Sequence, residues 1–153
     1  MSGGVEIAPL DLDDRAAADE LVAVQRASFR VEAHFLGTDE LPALRESAAA
    51  VRASGETFLG ARLAGRLVGA LGYKRRGGVV DIHRLVVHPD LFRRGIGTAL
   101  LDALAALEPA RRTVVAAGVA NVPARRLYER CGFRAVRERI AAAGVAIVEL
   151  ERP

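Results

Sequence analysis

Cysteine, lysine and aromatic residues are scarce in this chain of 153 residues. The single cysteine, Cys131, cannot form an intrachain disulfide, and no thiolate metal site is predicted. Aromatic residues make up 5% of the chain, too few for the stacking surfaces typical of nucleic-acid binders. No apolar run reaches the ~20 residues of a membrane-spanning helix, and the first residues lack the pattern of a signal peptide. We therefore expect a cytoplasmic protein with no metal, no membrane association and no nucleic-acid partner.

The residues that are present describe an ordinary globular domain. Hydrophobic residues make up 51% and charged residues 27% of the chain, which predicts one domain over residues 1–153. Arginine supplies almost all of the positive charge, since Lys74 is the only lysine, and the formal net charge is +3. Its arginines are spread along the chain, and this favours a locally positive cleft for an anionic cofactor.

Apolar periodicity and turn residues predict eleven elements in the order βααβββαβαββ, an α+β domain with a mixed sheet. The first half is predicted to begin with a strand over Val5–Leu10, a helix over Arg15–Phe29 and an irregular segment over Glu32–Leu41. A second helix, capped by Thr38 or Asp39, is predicted to run through Leu44, Ala48 and Val51 to Ala53. Strands over Thr57–Leu63 and Leu67–Arg75 follow. The second half is predicted as a strand over Val79–Val87, a helix ending near Leu107, a strand over Thr113–Val119, a helix over Pro123–Arg130 capped by Asn121, and a hairpin of Ala135–Ala141 with Val145–Glu151.

The stretch from Val79 to Ala106 is the most informative part of the chain. Its strand is nearly all apolar and should be buried on both faces. Gly95 and Gly97 lie between this strand and the next helix, beside two arginines. Free amides at a helix N-terminus, close to positive charge, form a site for a phosphorylated ligand. The pattern alone fits neither a P-loop nor a dinucleotide-binding fingerprint.

Two motifs, Leu85-Val-Val-His-Pro leading to Arg93-Arg-Gly-Ile-Gly-Thr98, and Asn121 to Phe133, together resemble the GCN5-related N-acetyltransferase (GNAT) family. The resemblance implies that the fourth and fifth strands splay apart around acetyl-CoA, the cosubstrate. The implied cofactor-binding residues are Leu85, Val86, Val87, Arg93, Arg94, Gly95, Ile96, Gly97, Thr98, Asn121 and Tyr128. One departure is Phe92, which stands where the family usually has Gln or Arg and cannot donate to a phosphate.

The same resemblance implies catalytic roles. Tyr128 matches the tyrosine that protonates the departing thiolate. Asp81 falls where some members carry a catalytic glutamate. His83 lies two residues further on, and histidine is a residue type whose unperturbed pKa suits a base. The base is left open between Asp81, His83 and a chain of water molecules.

The implied activity is transfer of an acetyl group from acetyl-CoA to a primary amine by direct attack in a ternary complex. In such folds the acceptor site is shaped by the final hairpin and by the segment from Glu32 to Glu40. A small amine and a peptide or protein amine are both open. The alternatives are a non-catalytic acyl-CoA sensor, an interaction domain of the same fold, and an acetyltransferase acting on charged tRNA. Dimers are common in the family, so a homodimer is also left open.

Overall fold

The computed structural model describes residues 4–37, 45–109, 112–141 and 144–153. Its strands are Glu6–Pro9 (β1), Thr57–Leu63 (β2), Arg66–Arg76 (β3), Val79–Val87 (β4), Arg112–Gly118 (β5), Arg134–Ile140 (β6) and Ala146–Arg152 (β7). Its helices are Arg15–Leu36 (α1), Ala48–Arg52 (α2), Ile96–Leu107 (α3) and Val122–Arg130 (α4). The strands form one sheet in the order β1-β2-β3-β4-β5-β7-β6. Neighbouring strands are antiparallel except for the parallel pair of β4 and β5.

The predicted element order and mixed sheet are confirmed, and two boundaries near the first helices are corrected. Glu32 was expected in an irregular segment, but α1 continues through it to Leu36. No helix breaker precedes Gly37, which ends α1 in a left-handed conformation with φ of 71°. The second helix begins only at Ala48, where Ser47 Oγ accepts the Ala50 N–H at 3.1 Å. The predicted caps Thr38 and Asp39 lie outside the described residues.

Helices cover both faces of the sheet. On one face, α1 buries Ala18, Leu21 and Val22 in a cluster that includes Val86 of β4. On the other face, α3 buries a leucine stripe and α4 buries Tyr128 in a second cluster. The spacing of these apolar residues matches one face of a helix, so the sequence pattern itself explains which side of each helix meets the sheet. In the described part of the chain, no helix has the length and apolarity needed to cross a membrane.

Strand β4 contains a bulge at His83. Gly72 of β3 lies opposite Arg84 and Tyr73 lies opposite Ile82, so His83 has no residue opposite it. A bulge shifts the alternation of side chains by one. Ile82 therefore packs in the α3 cluster, whereas Val86 packs in the α1 cluster. The expectation that the whole strand is buried on both faces is wrong, because the bulge leaves the His83 side chain exposed.

The parallel pair opens soon after it begins. Pairing of β4 with β5 extends only from Val79, opposite Arg112, to Asp81, opposite Val114. Strand β4 then continues to Val87 without β5 beside it. The predicted splay is thus confirmed, and it leaves one edge of β4 lining a gap in the middle of the sheet.

Candidate functional site

The loop between β4 and α3 presents main-chain amides and positive charge at one end of this gap. Arg93 and Gly95 both have left-handed backbones, with φ of 66° and 80°. No side chain caps α3, and the first amide bonded within its N-terminal turn is that of Ala99, which donates to the Gly95 carbonyl at 2.9 Å. The amides before it are therefore available to an anion, and the helix dipole favours negative charge there. Both Arg93 and Arg94 are exposed at this loop.

Phe92 stands at the start of that loop and is 41% exposed. Its ring offers no hydrogen-bond donor. An anionic ligand at this loop would therefore be bound by the main-chain amides and the two arginines.

Two of the three predicted β4 residues turn their main chain toward the gap. The His88 N–H donates to the Val68 carbonyl of β3 at 2.8 Å. Because main-chain groups alternate along an antiparallel strand, Val86 also bonds to β3. The N–H and C=O groups of Leu85 and Val87 consequently point the other way, into the gap.

Tyr128 of α4 is buried in the same cluster as the leucine stripe of α3. Its ring is 6% exposed and packs edge-on against Phe133, with centroids 5.6 Å apart. Burial, and then the charges of Glu32 and Cys131, raise the pKa of Tyr128 above its ordinary value. The phenol is therefore protonated at neutral pH and can donate a proton.

Asn121 joins the end of β5 to α4. Its Oδ1 accepts the Ala124 N–H at 3.3 Å, which confirms the predicted helix cap.

Glu32 was expected only as part of an acceptor-side segment, and its place within helix α1 was missed. It is half-buried. Burial raises the pKa of its carboxyl, and the hydrogen bond from Asn121 partly opposes this. No salt bridge to Glu32 is found within the described ranges. A helical reading of α1 through Leu36 would have been the signal, because it puts Glu32 two turns after Gln25 on the same face.

Asp81 and His83, the predicted bases, are brought together at the narrow end of the gap. The Nε2 atom of His83 lies 3.3 Å from Asp81 Oδ2. The same carboxylate oxygen is also paired with Arg76 at the end of β3. Asp81 therefore carries a charge that a guanidinium already compensates.

Comparison with known proteins agrees with this geometry. The family model described as "Acetyltransferase (GNAT) family" matches residues 18–133. The chain belongs to the GNAT acetyltransferase family. The UPF0157 protein YqkA of Bacillus subtilis is 39% identical over 131 residues, which cover 85% of this chain and 38% of YqkA. The GNAT chain thus spans less than two fifths of the length of that relative.

Solved GNAT structures share the fold. The PaiA N-acetyltransferase of Thermoplasma acidophilum, solved in complex with coenzyme A, has a TM-score of 0.76 at 20% identity over 95% of this chain and 98% of its own. The ribosomal-protein-S18-alanine N-acetyltransferase of Escherichia coli has a TM-score of 0.78 at 16% identity, covering 98% of this chain and 94% of its own. At these identities the likeness establishes the fold.

A second polar cluster in this GNAT domain was not anticipated from the sequence. It lies under α1 and α2 and is centred on Arg84, the residue that follows the β4 bulge. The Arg84 guanidinium donates to Gln25 Oε1 at 2.7 Å, to Glu46 Oε1 at 2.7 Å and to both carboxylate oxygens of Glu56, at 2.8 Å for Oε1. The Arg84 side chain is 9% exposed and that of Glu56 is 4% exposed. This network ties the bulge to α1 and to the segments before α2 and β2.

Proposed function

We propose that this GNAT domain transfers an acetyl group from acetyl-CoA to a primary amine by direct attack, with both substrates bound at once. The observation that carries the proposal is the gap between β4 and β5, which is lined by free main-chain groups of β4 and has the loop of Gly95 and Gly97 at one end. The acceptor is a small amine or an amine of a peptide or protein.

The residues around the gap fit the parts of acetyl-CoA. The exposed amides and arginines of the loop from Arg93 to Thr98 suit its phosphates. The main-chain groups of Leu85 and Val87 suit the amides of the pantetheine arm, which would pair with β4 as an added strand does. When bound, acetyl-CoA supplies an activated acetyl group in its thioester.

The chain's own groups promote the transfer in three ways. Binding both substrates along one gap brings the amine and the thioester together, which replaces an encounter in solution. The N–H groups of Leu85 or Val87 stabilise negative charge on the thioester oxygen. Tyr128 donates its hydroxyl proton to sulfur as the C–S bond breaks and the new N–C bond forms. A base takes the proton that the amine loses, so the protons and bonds balance.

Replacing Tyr128 with Phe tests the proposal. The ring and its packing against Phe133 are kept, and only the proton donor is lost. We expect turnover to fall by ~10²-fold or more, the usual contribution of a positioned acid, while the Kd for acetyl-CoA changes little. Thiol release with a panel of primary amines measures turnover, and calorimetry measures the Kd.

The matched control is Tyr73→Phe, which removes the chain's other tyrosine hydroxyl. That hydroxyl donates to Glu108 at 2.8 Å and is not placed at the gap. Equal losses of turnover and of acetyl-CoA affinity in Tyr128→Phe would contradict the acid role. Failure of coenzyme A to raise the melting temperature of the unaltered protein would contradict the proposed function as a whole.

A further inference from the structure

We infer that Arg84 is a positioning residue of the proposed site: its buried network of ion pairs holds the β4 bulge at His83, and the bulge directs the main chain of the following residues into the gap. The inference rests on the proposed function, because it concerns how β4 is presented to the pantetheine arm of coenzyme A. It gives a role in ligand binding to a buried cluster that the transfer step itself does not use.

The bulge decides which main-chain groups of β4 face the gap. Beyond it, Arg84 lies opposite Gly72 and Val86 lies opposite Ala70. Main-chain groups alternate along a strand, so Leu85 turns its N–H and C=O groups away from β3 and toward the gap. Without the bulge, the register that precedes it would continue, and Leu85 would turn the same groups toward β3 instead.

The Arg84 side chain is anchored by three different segments of the chain. Its guanidinium donates to Oε1 of Glu56, in the segment before β2, at 2.8 Å. It also donates at 2.7 Å to Oε1 of Glu46, before α2, and to Oε1 of Gln25 in α1. A shift of register at the bulge would turn Arg84 toward the apolar α3 cluster and leave buried charges unpaired, which is costly. The network therefore holds the bulge in place.

Gly72 of β3 makes room for this network. A Cβ atom at Gly72 would overlap Glu56 Oε1 and would lie 3.1 Å from Arg84 Cγ. The Arg84 guanidinium also lies over the Phe58 ring, 5.5 Å from the ring centroid. The residue opposite Arg84 is thus one that leaves space for the ion pair beside the bulge.

Two parts of coenzyme A should respond differently when Arg84 is released. The loop from Arg93 to Thr98 suits the phosphates, and its free amides belong to the N-terminus of α3 rather than to the bulge. The pantetheine arm would pair with the main chain of Leu85, whose direction depends on the bulge. A role for Arg84 in stability alone would weaken the binding of both parts equally or of neither.

Arg84→Met tests the inference with two ligands. Coenzyme A is compared with 3′-phosphoadenosine 5′-diphosphate, which is coenzyme A without its pantetheine arm. In Arg84→Met we expect the Kd of coenzyme A to rise by ~10-fold, as for the loss of one or two hydrogen bonds, and that of the nucleotide by less than ~2-fold. Calorimetry measures both Kd values at a temperature at which circular dichroism shows the variant to be folded.

Two matched glycine variants keep the inference testable if Arg84→Met does not fold. Gly72→Ala places a methyl group inside the network, so it should raise the Kd of coenzyme A selectively. Gly60→Ala crowds the neighbouring strand β2, where the added Cβ would lie 3.1 Å from Leu67 Cδ1 and 3.2 Å from Leu10 Cδ1. It should leave the ratio of the two Kd values unchanged.

The outcomes separate the inference from the proposed function. Equal rises of both Kd values, or no change in either, in folded Arg84→Met or Gly72→Ala protein would overturn the positioning role and leave the proposed function standing. The same selective loss in Gly60→Ala would also overturn that role. If the unaltered protein binds neither ligand, the proposed function is rejected, and the inference with it.

Discussion

Two polar side chains of helix α1, Gln25 and Glu32, differ in whether the carboxylates around them are paired with a cation. Gln25 joins a closed network in which Arg84 binds the carboxylates of Glu46 and Glu56. Burial raises the pKa of the Glu32 carboxyl, and Glu32 is in no ion pair within the described residues. The carboxylates of the first cluster are therefore compensated by Arg84, whereas no cation in the described ranges is paired with Glu32.

The pKa values of Glu46 and Glu32 shift in opposite directions. For Glu46, burial acts to raise the pKa, but the hydrogen bonds from Arg84 and Gln25 and the charge of Arg84 outweigh it and lower the pKa. For Glu32, burial dominates and raises the pKa. A compensated carboxylate holds the fold together, and an uncompensated one costs stability and is available for chemistry.

The largest expected effect is on the closed network. Arg84→Met leaves Glu46 and Glu56 without their cation in a buried place. We expect the free energy of unfolding to fall by about 3–5 kcal/mol, as is usual when one partner of a buried ion pair is removed. Urea unfolding measures it. The control is Arg112→Met, which breaks an exposed pair with Glu151 and should cost about 1 kcal/mol or less. Similar losses in both variants would show that the Arg84 network is no more important than a surface pair.

Glu32→Gln should raise the free energy of unfolding at pH 7, whereas Arg84→Met lowers it. Since the folded-state pKa of Glu32 is raised, the folded chain binds more protons than the unfolded chain between the ordinary glutamate pKa and the raised one, and stability falls as pH rises through that window. Glu32→Gln removes this loss. We expect it to stabilise the protein at pH 7 by roughly 0.5–2 kcal/mol, with the gain vanishing in acid.

The matched variant is Glu46→Gln. Because the pKa of Glu46 is lowered in the folded chain, its ionised carboxylate stabilises the fold above the ordinary glutamate pKa. This stabilisation is lost as pH falls through the lowered pKa. Glu46→Gln should therefore destabilise the protein at pH 7, with the difference shrinking in acid. Urea unfolding of both variants across pH 4–8 measures how the change in the free energy of unfolding depends on pH. If this change has the same pH dependence in both variants, the two carboxylates do not differ as we expect.

The smallest expected effect concerns the cap of α4. Asn121→Ala removes the capping oxygen and should lower the free energy of unfolding by about 1 kcal/mol. Asn121→Ser keeps a capping oxygen, so its stability should stay within a few tenths of a kcal/mol of the original. Urea unfolding measures both variants, and equal losses would show that the effect of Asn121→Ala does not come from the cap.

Several features were determined by the sequence alone. Apolar periodicity and the positions of glycine and proline predicted the order of all the elements, because these signals act within a few neighbouring residues. The loop of Gly95 and Gly97, followed by the stretch from Asn121 to Phe133, identified the family, while the role of Tyr128 at the site stays a prediction. The cap of α4 by Asn121 was also predictable, since it depends on a hydrogen bond from a residue only three positions away.

Other features were decided only by the tertiary structure. The bulge at His83 depends on the register of two strands, and it turns Arg84 toward α1 rather than α3. The hydrogen bond from Arg84 to Gln25 depends on where α1 crosses the sheet. Both join residues that are far apart in the chain, where no local pattern records the distance or the charge of the eventual neighbour. Whether a carboxylate is compensated or left free is therefore a property of the packed molecule.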